Sequence, residues 1–582
     1  MASVRSTMAQ RPRGGDDPDG RWSLDQGPEV EGDEGEDLFG PEVTSTIVIP
    51  RIPADIRPME AREAAGEPDP EGDSGRRGLR ARVRALPWLL YLVLAVQAAL
   101  AVRLLPRNGV NLDEATYLYA GHEELAHWMH GAVIPNYATY FSGAPSVYPP
   151  LAAIADHFGG LVGARLISTV CMLAATAFLW GVARRLHSEV AAFAGCAAFV
   201  ALGGTQSLGS FATYDAMALS LMAAAGYLAV RAAMAERHWV PWLVSSALAL
   251  VLADATKYAT ALWNPFVILL FFVVLGRLGK RRSALLRATC LVLACFALLG
   301  GSIALGGKSY WTGIVTTTLN RTPGSGLSRT LIIDDVKGWI GWVLLLCALG
   351  VVAAILRSEW NNALVGLVCL GAGCAAPANQ IRIDVLTSLV KHVDFGAWFA
   401  CIAVGYLIHV LAHVMITAKE ARVVGVVVTC LALLLYAASG VTQSAQFMRS
   451  WPNTANLTAA VRPYVHYGSS QYLMEEDSVL QYDLRGSSSW QQWQNTWGLG
   501  FYDTKLGKFV DGNEAYTDAI FDHYFSVIIL NGQFTPAVDV DMVQTITLCK
   551  DSCGYRMVAN LPYEGTPDGG HFTVWAYEGA TK

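Results

Sequence analysis

The sequence predicts a polytopic α-helical membrane protein with about eleven transmembrane helices, followed by a small α/β domain. Three observations carry that expectation. Hydrophobic residues make up 53% of the 582 positions and charged residues only 15%, which is too apolar for a soluble globular chain. Apolar runs of about 20 residues, the length that crosses a bilayer as a helix, recur from Leu86 onward. Basic residues fall in alternate connections between those runs, as they do when cytoplasmic loops retain positive charge.

The first 75 or so residues are rich in Gly, Pro, Asp, Glu and Arg and have no apolar core. They match no signal peptide, and residues 1–80 are expected to form a disordered cytoplasmic tail. Arg76, Arg77, Arg80, Arg82 and Arg84 directly precede the first run and hold that flank inside. The expected spans are 86–105, 161–181, 189–207, 213–232, 239–255, 258–276, 284–305, 338–356, 361–378, 395–415 and 421–440. Arg184 and Arg185, Arg231 and Arg237, the cluster from Arg277 to Arg287, Arg357, and Lys419 with Arg422 all fall in loops that alternation makes cytoplasmic. An odd number of spans in the transmembrane domain, 81–440, puts residues 441–582 outside the cell membrane.

Three outer segments are long enough to hold more than a turn: 106–160, 306–337 and 378–394. The first is expected to contain helices around Asp113–His130 and Tyr148–Phe158. Beyond residue 440 the chain becomes polar with interspersed Trp and Tyr. Phe525–Leu530 reads as a buried strand, with Asn531-Gly532 as its turn. Cys549 and Cys553 stand in this region outside the apolar runs, close enough for a small-loop disulfide. The net charge of −6 comes mainly from the acidic tail and the C-terminal part, and implies no nucleic-acid partner.

Asp113 and Glu114 open an outer helix directly after the first span. Acids there complement the helix dipole, worth roughly 0.3–1 kcal/mol each; a carboxylate held at the membrane surface is also a candidate base. His122 and His127 are five apart, which turns the second ring about 140° from the first on a helix, so no metal site is expected. Lys257 lies where one span turns into the next on the outer side, and Arg382, Lys391 and His392 cluster in the last outer segment. Ionisable groups at such edges are functional candidates; a snorkelling lysine is the plainer reading of Lys257. Arg165 begins the second span, where it pairs with an acid or meets substrate. Thr213 and Asp215 open the fourth, where capping is the plainer reading. Pro149 and Pro150 read as a helix start.

The order of these features, Asn111-Leu-Asp-Glu114 after the first span, then Tyr148-Pro-Pro-Leu151, then Gly163-Ala-Arg-Leu-Ile-Ser168, resembles glycosyltransferase superfamily C (GT-C). It is most similar to the branch of the protein O-mannosyltransferases and the lipid A aminoarabinose transferases. The resemblance implies a transferase that takes a monosaccharide from a polyprenyl-phosphate donor, with inversion, to an acceptor hydroxyl on a lipid, a glycan or a protein. It implies catalytic roles for Asp113, Glu114 and Asp215. It also implies a donor-phosphate clamp from Lys257, Arg382, Lys391 and His392, and substrate contacts by Tyr148 and Arg165. No cofactor is implied, and a donor arriving through the bilayer needs no nucleotide-binding loop. One departure is Val147-Tyr148, where the aminoarabinose transferases carry a basic residue before Pro-Pro. A transporter or lipid flippase would instead place charges near the midplane and show matching halves, and a scaffold with an exported binding domain would tolerate loss of Asp113.

Overall fold

The computed structural model describes residues 88–582 except 108, 280, 321–327, 387, 418–421, 448, 450, 550–551, 567–568 and 582. The tail over residues 1–80, the arginines before the first span, Lys280 and Lys419 lie outside the described residues. Helices α1 (Trp88–Val102), α2 (Leu112–His130), α3 (Tyr148–Leu186), α4 (Glu189–Ala201), α5 (Tyr214–Met234) and α6 (Trp239–Thr256) form the first half of a bundle. The second half comprises α7 (Asn264–Arg277), α8 (Arg281–Ile314), α9 (Trp342–Leu356), α10 (Trp360–Ile383), α11 (Leu389–Thr417) and α12 (Arg422–Phe447). Among the described residues, eight helices are long and apolar enough to cross a membrane, and α1 and α4 are shorter apolar helices. The chain is a multi-pass membrane protein.

The bundle centre is made of small side chains and a few large rings. Ala175, Ala218, Ala225, Cys196 and Cys401 are buried there with Trp398 and Phe399, and small residues let helix backbones approach closely in an apolar medium. Two of the buried indoles donate to carbonyls: Trp398 to Ala175 at 3.0 Å and Trp263 to Ala372 at 3.1 Å. Trp263 also stacks on Phe395, with ring centroids 4.9 Å apart.

Several helices run past the limits that hydropathy set. Gly160, at φ 60°, kinks α3 between an outer arm that begins at Tyr148 and the longer part that follows; few side chains adopt that conformation. Much of the expected 306–337 loop is helical, because α8 continues to Ile314 and passes into a π-helical turn over Val315–Leu319. The expected 378–394 loop shrinks to a short connection, since α10 reaches Ile383 and α11 starts at Leu389. Polar residues end an apolar run but still permit helical backbone, so these elements outlast their hydropathy, α8 across a break at Gly307 (φ 72°) and α10 with Pro377 inside it.

The C-terminal region is an α/β domain. Strands β1 (Gln471–Met474), β2 (Trp493–Gln494), β3 (Gly500–Asp503), β4 (Lys508–Asp511), β5 (Phe525–Leu530), β6 (Tyr555–Pro562) and β7 (His571–Tyr577) accompany helices α13 (Asp477–Asp483), α14 (Asn513–Phe521) and α15 (Pro536–Cys549). The main sheet has the order β2-β1-β5-β7-β6, with β1 parallel to β2 and β5 and the rest antiparallel. Within β5 the Val527–Leu530 stretch is continuously apolar because both its faces are covered. Val527 and Ile529 join Tyr472, Phe572 and Val574 in a core shared with Val110, Leu118 and Tyr119 around α2. Ile528 and Leu530 pack on the other side with Ala515, Ala519, Met542 and Ile546 from α14 and α15. Helix α2 is therefore held between the bundle and the sheet. Trp493 belongs to the shared core and packs on Tyr472, whereas Trp497 is exposed. Cys549 and Cys553 are disulfide-bonded.

Candidate active site

A cavity of about 540 Å³ is lined by Asp113, Tyr117, Ser142, Tyr214, Asp215, Lys257, Thr316, Thr317, Ser388 and Lys391. All three long outer segments of the sequence contribute to it, joined by the ends of α5 and α6.

Each charged side chain is placed by local structure. Helix α2 begins with Asn111 as its cap. The Asn111 side chain accepts from the Glu114 amide at 3.0 Å while the Glu114 carboxylate accepts from the Asn111 amide at 3.2 Å. This capping box fixes the first turn, from which Asp113 faces the cavity. Tyr117, one turn later, shares that face and packs on Tyr214 at 4.5 Å and Phe141 at 5.3 Å. Lys257 sits at the C-terminal end of α6 in an extended conformation. The 142–144 segment is hydrogen-bonded across that break, with Tyr258 N–H donating to Ser142 at 2.9 Å and Ala144 N–H to Ala255 at 2.7 Å. Thr316 and Thr317 reach the wall because α8 packs against the 137–139 turn at Gly313, where a β-carbon would lie 1.9 Å from the Ala138 carbonyl. Ser388, beside α11, holds a left-handed backbone at φ 73°, a strained choice of the kind that gathers at functional sites.

Two ion pairs cross the cavity. Lys391 pairs with Asp113, and Lys257 with Asp215. The first is open, with side-chain exposures of 32% and 45%; the second is closed, at 5% and 1%. The Lys257 ammonium also lies 5.4 Å from the centre of the Tyr214 ring, a cation–π contact. Two lysines and two carboxylates leave the lining balanced.

Beside it lies an apolar groove of about 610 Å³, lined by Ala144, Val147, Tyr258, Leu299, Ile303, Trp311 and Ile314 among others. Tyr258 follows the cavity residue Lys257 directly, and Ile314 is two residues from Thr316. Tyr140 is exposed, its ring 5.5 Å from that of Phe141, which packs on the cavity residue Tyr117.

The remaining site residues expected from the sequence lie elsewhere. Glu114 is fully buried: its carboxylate accepts from Arg165 Nε at 2.7 Å and Nη2 at 2.6 Å, and from the Ala212 amide at 2.7 Å. Arg165 also donates to the Leu105 and Gly109 carbonyls at 2.5 and 2.8 Å. The pair ties α1, α2, α3 and α5 together and is not part of the cavity lining. Tyr148 is buried in the core shared with Leu118 and Tyr214, at the start of a helix with Pro in its first turn. Arg382 is exposed and donates to Asn379 at 2.9 Å. His392 is buried, its Nδ1 3.3 Å from Gln380 Nε2. The expected cluster of Arg382, Lys391 and His392 is thus divided, for a simple reason. Consecutive helical residues point about 100° apart, so only Lys391 reaches the cavity. The Thr213 side chain makes no capping bond, and Asp215 occupies the first turn of α5.

Tyr117, Ser142, Tyr214, Thr316, Thr317 and Ser388 were not singled out in the sequence. Tyr117 was within reach, since it lies four residues after Asp113 on one helix face. Asp156 was missed as well. Its carboxylate accepts from Tyr482 at 2.5 Å, lies 2.7 Å from His122 Nε2 and 3.1 Å from Arg485 Nη2, and so fastens α3 and α2 to the C-terminal domain. A lone acid in an otherwise apolar helix is a signal that a partner exists. His127, by contrast, turns away to the Ala132 carbonyl at 2.7 Å.

A membrane bundle with a polar cavity at one end, an apolar groove beside it and an α/β domain packed over its first outer helix defines the GT-C fold. Solved structures of that class superpose on the chain. ArnT from Cupriavidus metallidurans in the apo state matches with a TM-score of 0.52 and 15% identity, covering 86% of this chain and 99% of that one. The same protein bound to undecaprenyl phosphate matches at 0.52 and 16%, covering 85% and 98%. The Archaeoglobus fulgidus oligosaccharyltransferase in its apo form matches at 0.52 and 11%, covering 79% and 71%. Residues 151–299 match the family model for dolichyl-phosphate-mannose-protein mannosyltransferases, a segment that holds Arg165, Asp215 and Lys257. No curated protein sequence matches significantly. The chain thus shares the fold of these GT-C structures, and its 151–299 segment is similar to the dolichyl-phosphate-mannose-protein mannosyltransferases.

Proposed function

We propose that the chain transfers a monosaccharide from a polyprenyl-phosphate donor to an acceptor hydroxyl at the outer surface of the cell membrane. The observation that carries this reading is one polar cavity holding two lysines and two carboxylates beside an apolar groove within the membrane bundle. A lipid-linked sugar phosphate has this division of polarity: its hydrocarbon chain suits the groove, its phosphate the lysines, and its sugar the hydroxyl-lined wall.

Asp113 is the base. The acceptor oxygen attacks the anomeric carbon from the face opposite the phosphate, the carbon–oxygen bond to phosphate breaks with its electron pair going to phosphate, and the hydroxyl proton passes to Asp113. Base assistance of this kind is typically worth about 10² to 10⁴ in rate. Lys391 and Lys257 balance the charge that grows on the leaving phosphate, and Asp215 holds Lys257 in place. Glu114 and Arg165 are positioning residues: they fix the helix start that presents Asp113. Arg382, His392 and Tyr148 take no direct part. The acceptor is a lipid, glycan or protein hydroxyl, and the C-terminal domain is extracytoplasmic. Hexosyl and pentosyl donors both suit this chemistry.

The test offers membranes carrying the chain radiolabelled sugars in two forms, linked to polyprenyl phosphate or to a nucleotide. Label is expected to move to acceptor from the lipid-linked form, with inversion at the anomeric carbon. Transfer from the nucleotide form without a lipid-linked intermediate would contradict the reading.

A further inference from the structure

The two ion pairs in the cavity differ in a way that assigns different tasks to the two lysines. Lys257 and Asp215 are closed in, at 5% and 1% exposure, and Lys257 is further held over the Tyr214 ring. Such a pair has little freedom to exchange partners. Lys391 and Asp113 face the cavity at 32% and 45%, open enough for an incoming anion to reach the ammonium and compete with the carboxylate for it. We propose that Lys391 is a shared cation that passes from Asp113 to the donor phosphate, so that donor binding frees the base and must precede productive acceptor binding. This rests on the donor reading above.

The charges balance through the step. The donor is a phosphodiester with one negative charge, and the departing polyprenyl phosphate is a monoester carrying close to two near neutral pH. As the acceptor proton neutralises Asp113, the carboxylate loses its claim on Lys391. At the same moment a second charge arrives on phosphate and holds there the cation it gained when the donor bound. Two lysines, two carboxylates and the donor sum to one negative charge. Two lysines, one carboxylate, one carboxylic acid and the phosphate dianion sum to the same value. No charge has to enter or leave a site partly shielded from water, where such a movement is costly. Lys257 supplies a constant positive potential throughout.

The device has an unusual consequence: Asp113 competes with phosphate for Lys391, so removing the base should tighten phosphate binding. The experiment measures binding of radiolabelled undecaprenyl phosphate to the purified full chain and to Asp113→Asn, Lys391→Met and the double variant, with thermal stability as the folding control. About tenfold tighter binding is expected for Asp113→Asn, weaker binding for Lys391→Met, and no gain from Asp113→Asn in the Lys391→Met background. The double-variant comparison separates an exchange at Lys391 from simple removal of negative charge. Unchanged or weaker binding by folded Asp113→Asn, or a gain that persists without Lys391, overturns the shared-cation proposal and leaves the donor reading standing. Failure of the wild-type chain to bind the phosphate overturns the donor reading, and this proposal with it.

Discussion

Asp113 and Glu114 are neighbours in sequence, both acidic and both in the first turn of α2, yet the fold gives them opposite surroundings. Asp113 meets Lys391 across an open cavity, while Glu114 is sealed with Arg165 at exposures of 0% and 1%. A third solution occurs in the C-terminal domain. Glu476 is buried beside Glu475 and Asp539, and burial followed by the Glu475 charge pushes its carboxyl up to about 8. One chain thus handles its acids by exposure to a cavity, by a fixed guanidinium and by a retained proton. Only the first leaves a carboxylate ready to accept a proton from substrate.

The comparison breaks most sharply at Glu114. Glu114→Gln leaves the Arg165 guanidinium buried without its anion, and breaking a buried pair costs about 3–5 kcal/mol. The expected result is a marked loss of folded protein in detergent thermal-melt assays, with transfer activity per folded molecule lowered in the surviving fraction because the helix start that presents Asp113 is loosened. Asp156→Asn weakens the bonds from Tyr482, His122 and Arg485, and about 1–3 kcal/mol is expected from a disturbed buried polar network. Limited proteolysis should then release the C-terminal domain faster while the membrane bundle stays intact.

Glu476 supplies a pH test of the retained proton. Its folded pKa, about 8, lies above the ordinary carboxylate value, so the folded state holds a proton that the unfolded chain has lost. Stability therefore falls as pH rises from about 4.3 to about 8 and levels off above that, by at most about 1.4 kcal/mol per pH unit from this group. Asp539, raised to about 8 by burial and then by the Glu475 charge, adds a slope of the same sign. Melting of Glu476→Gln between pH 5 and 9 should show a flatter decline than wild type; an equal or steeper one removes this assignment. The smallest effect is expected at Arg382, an exposed side chain bonded to Asn379 three residues away. Arg382→Ala should shift stability by about 0.5 kcal/mol or less and leave the KM for donor unchanged.

Much of the architecture was legible because hydropathy and loop charge report independently on spans. The position of Asp113 after the first span was legible for the same reason, as was β5 from its mostly apolar run. The division of labour between adjacent residues was not. Asn111 three residues before Glu114 is a capping-box signature, a local signal in the sequence that points Glu114 back at the backbone. Lys391 and His392 looked alike in the sequence because the onset of α11 at Leu389 is masked by polar residues, and rotation along a helix appears only once its start is fixed. Thr316 and Thr317 lay in what hydropathy presents as a loop. Asp156 required its partners, Tyr482 and Arg485, more than 300 residues away, and no local pattern reports a contact at that range.

The most direct measurement is single-turnover transfer of sugar from a polyprenyl-phosphate donor by Asp113→Asn, in membranes where the variant is inserted at the wild-type level and melts at the wild-type temperature. A rate lower by about 10² to 10⁴ is expected from loss of the base. Transfer at the wild-type rate by that folded variant would contradict the assignment of Asp113 as the catalytic carboxylate.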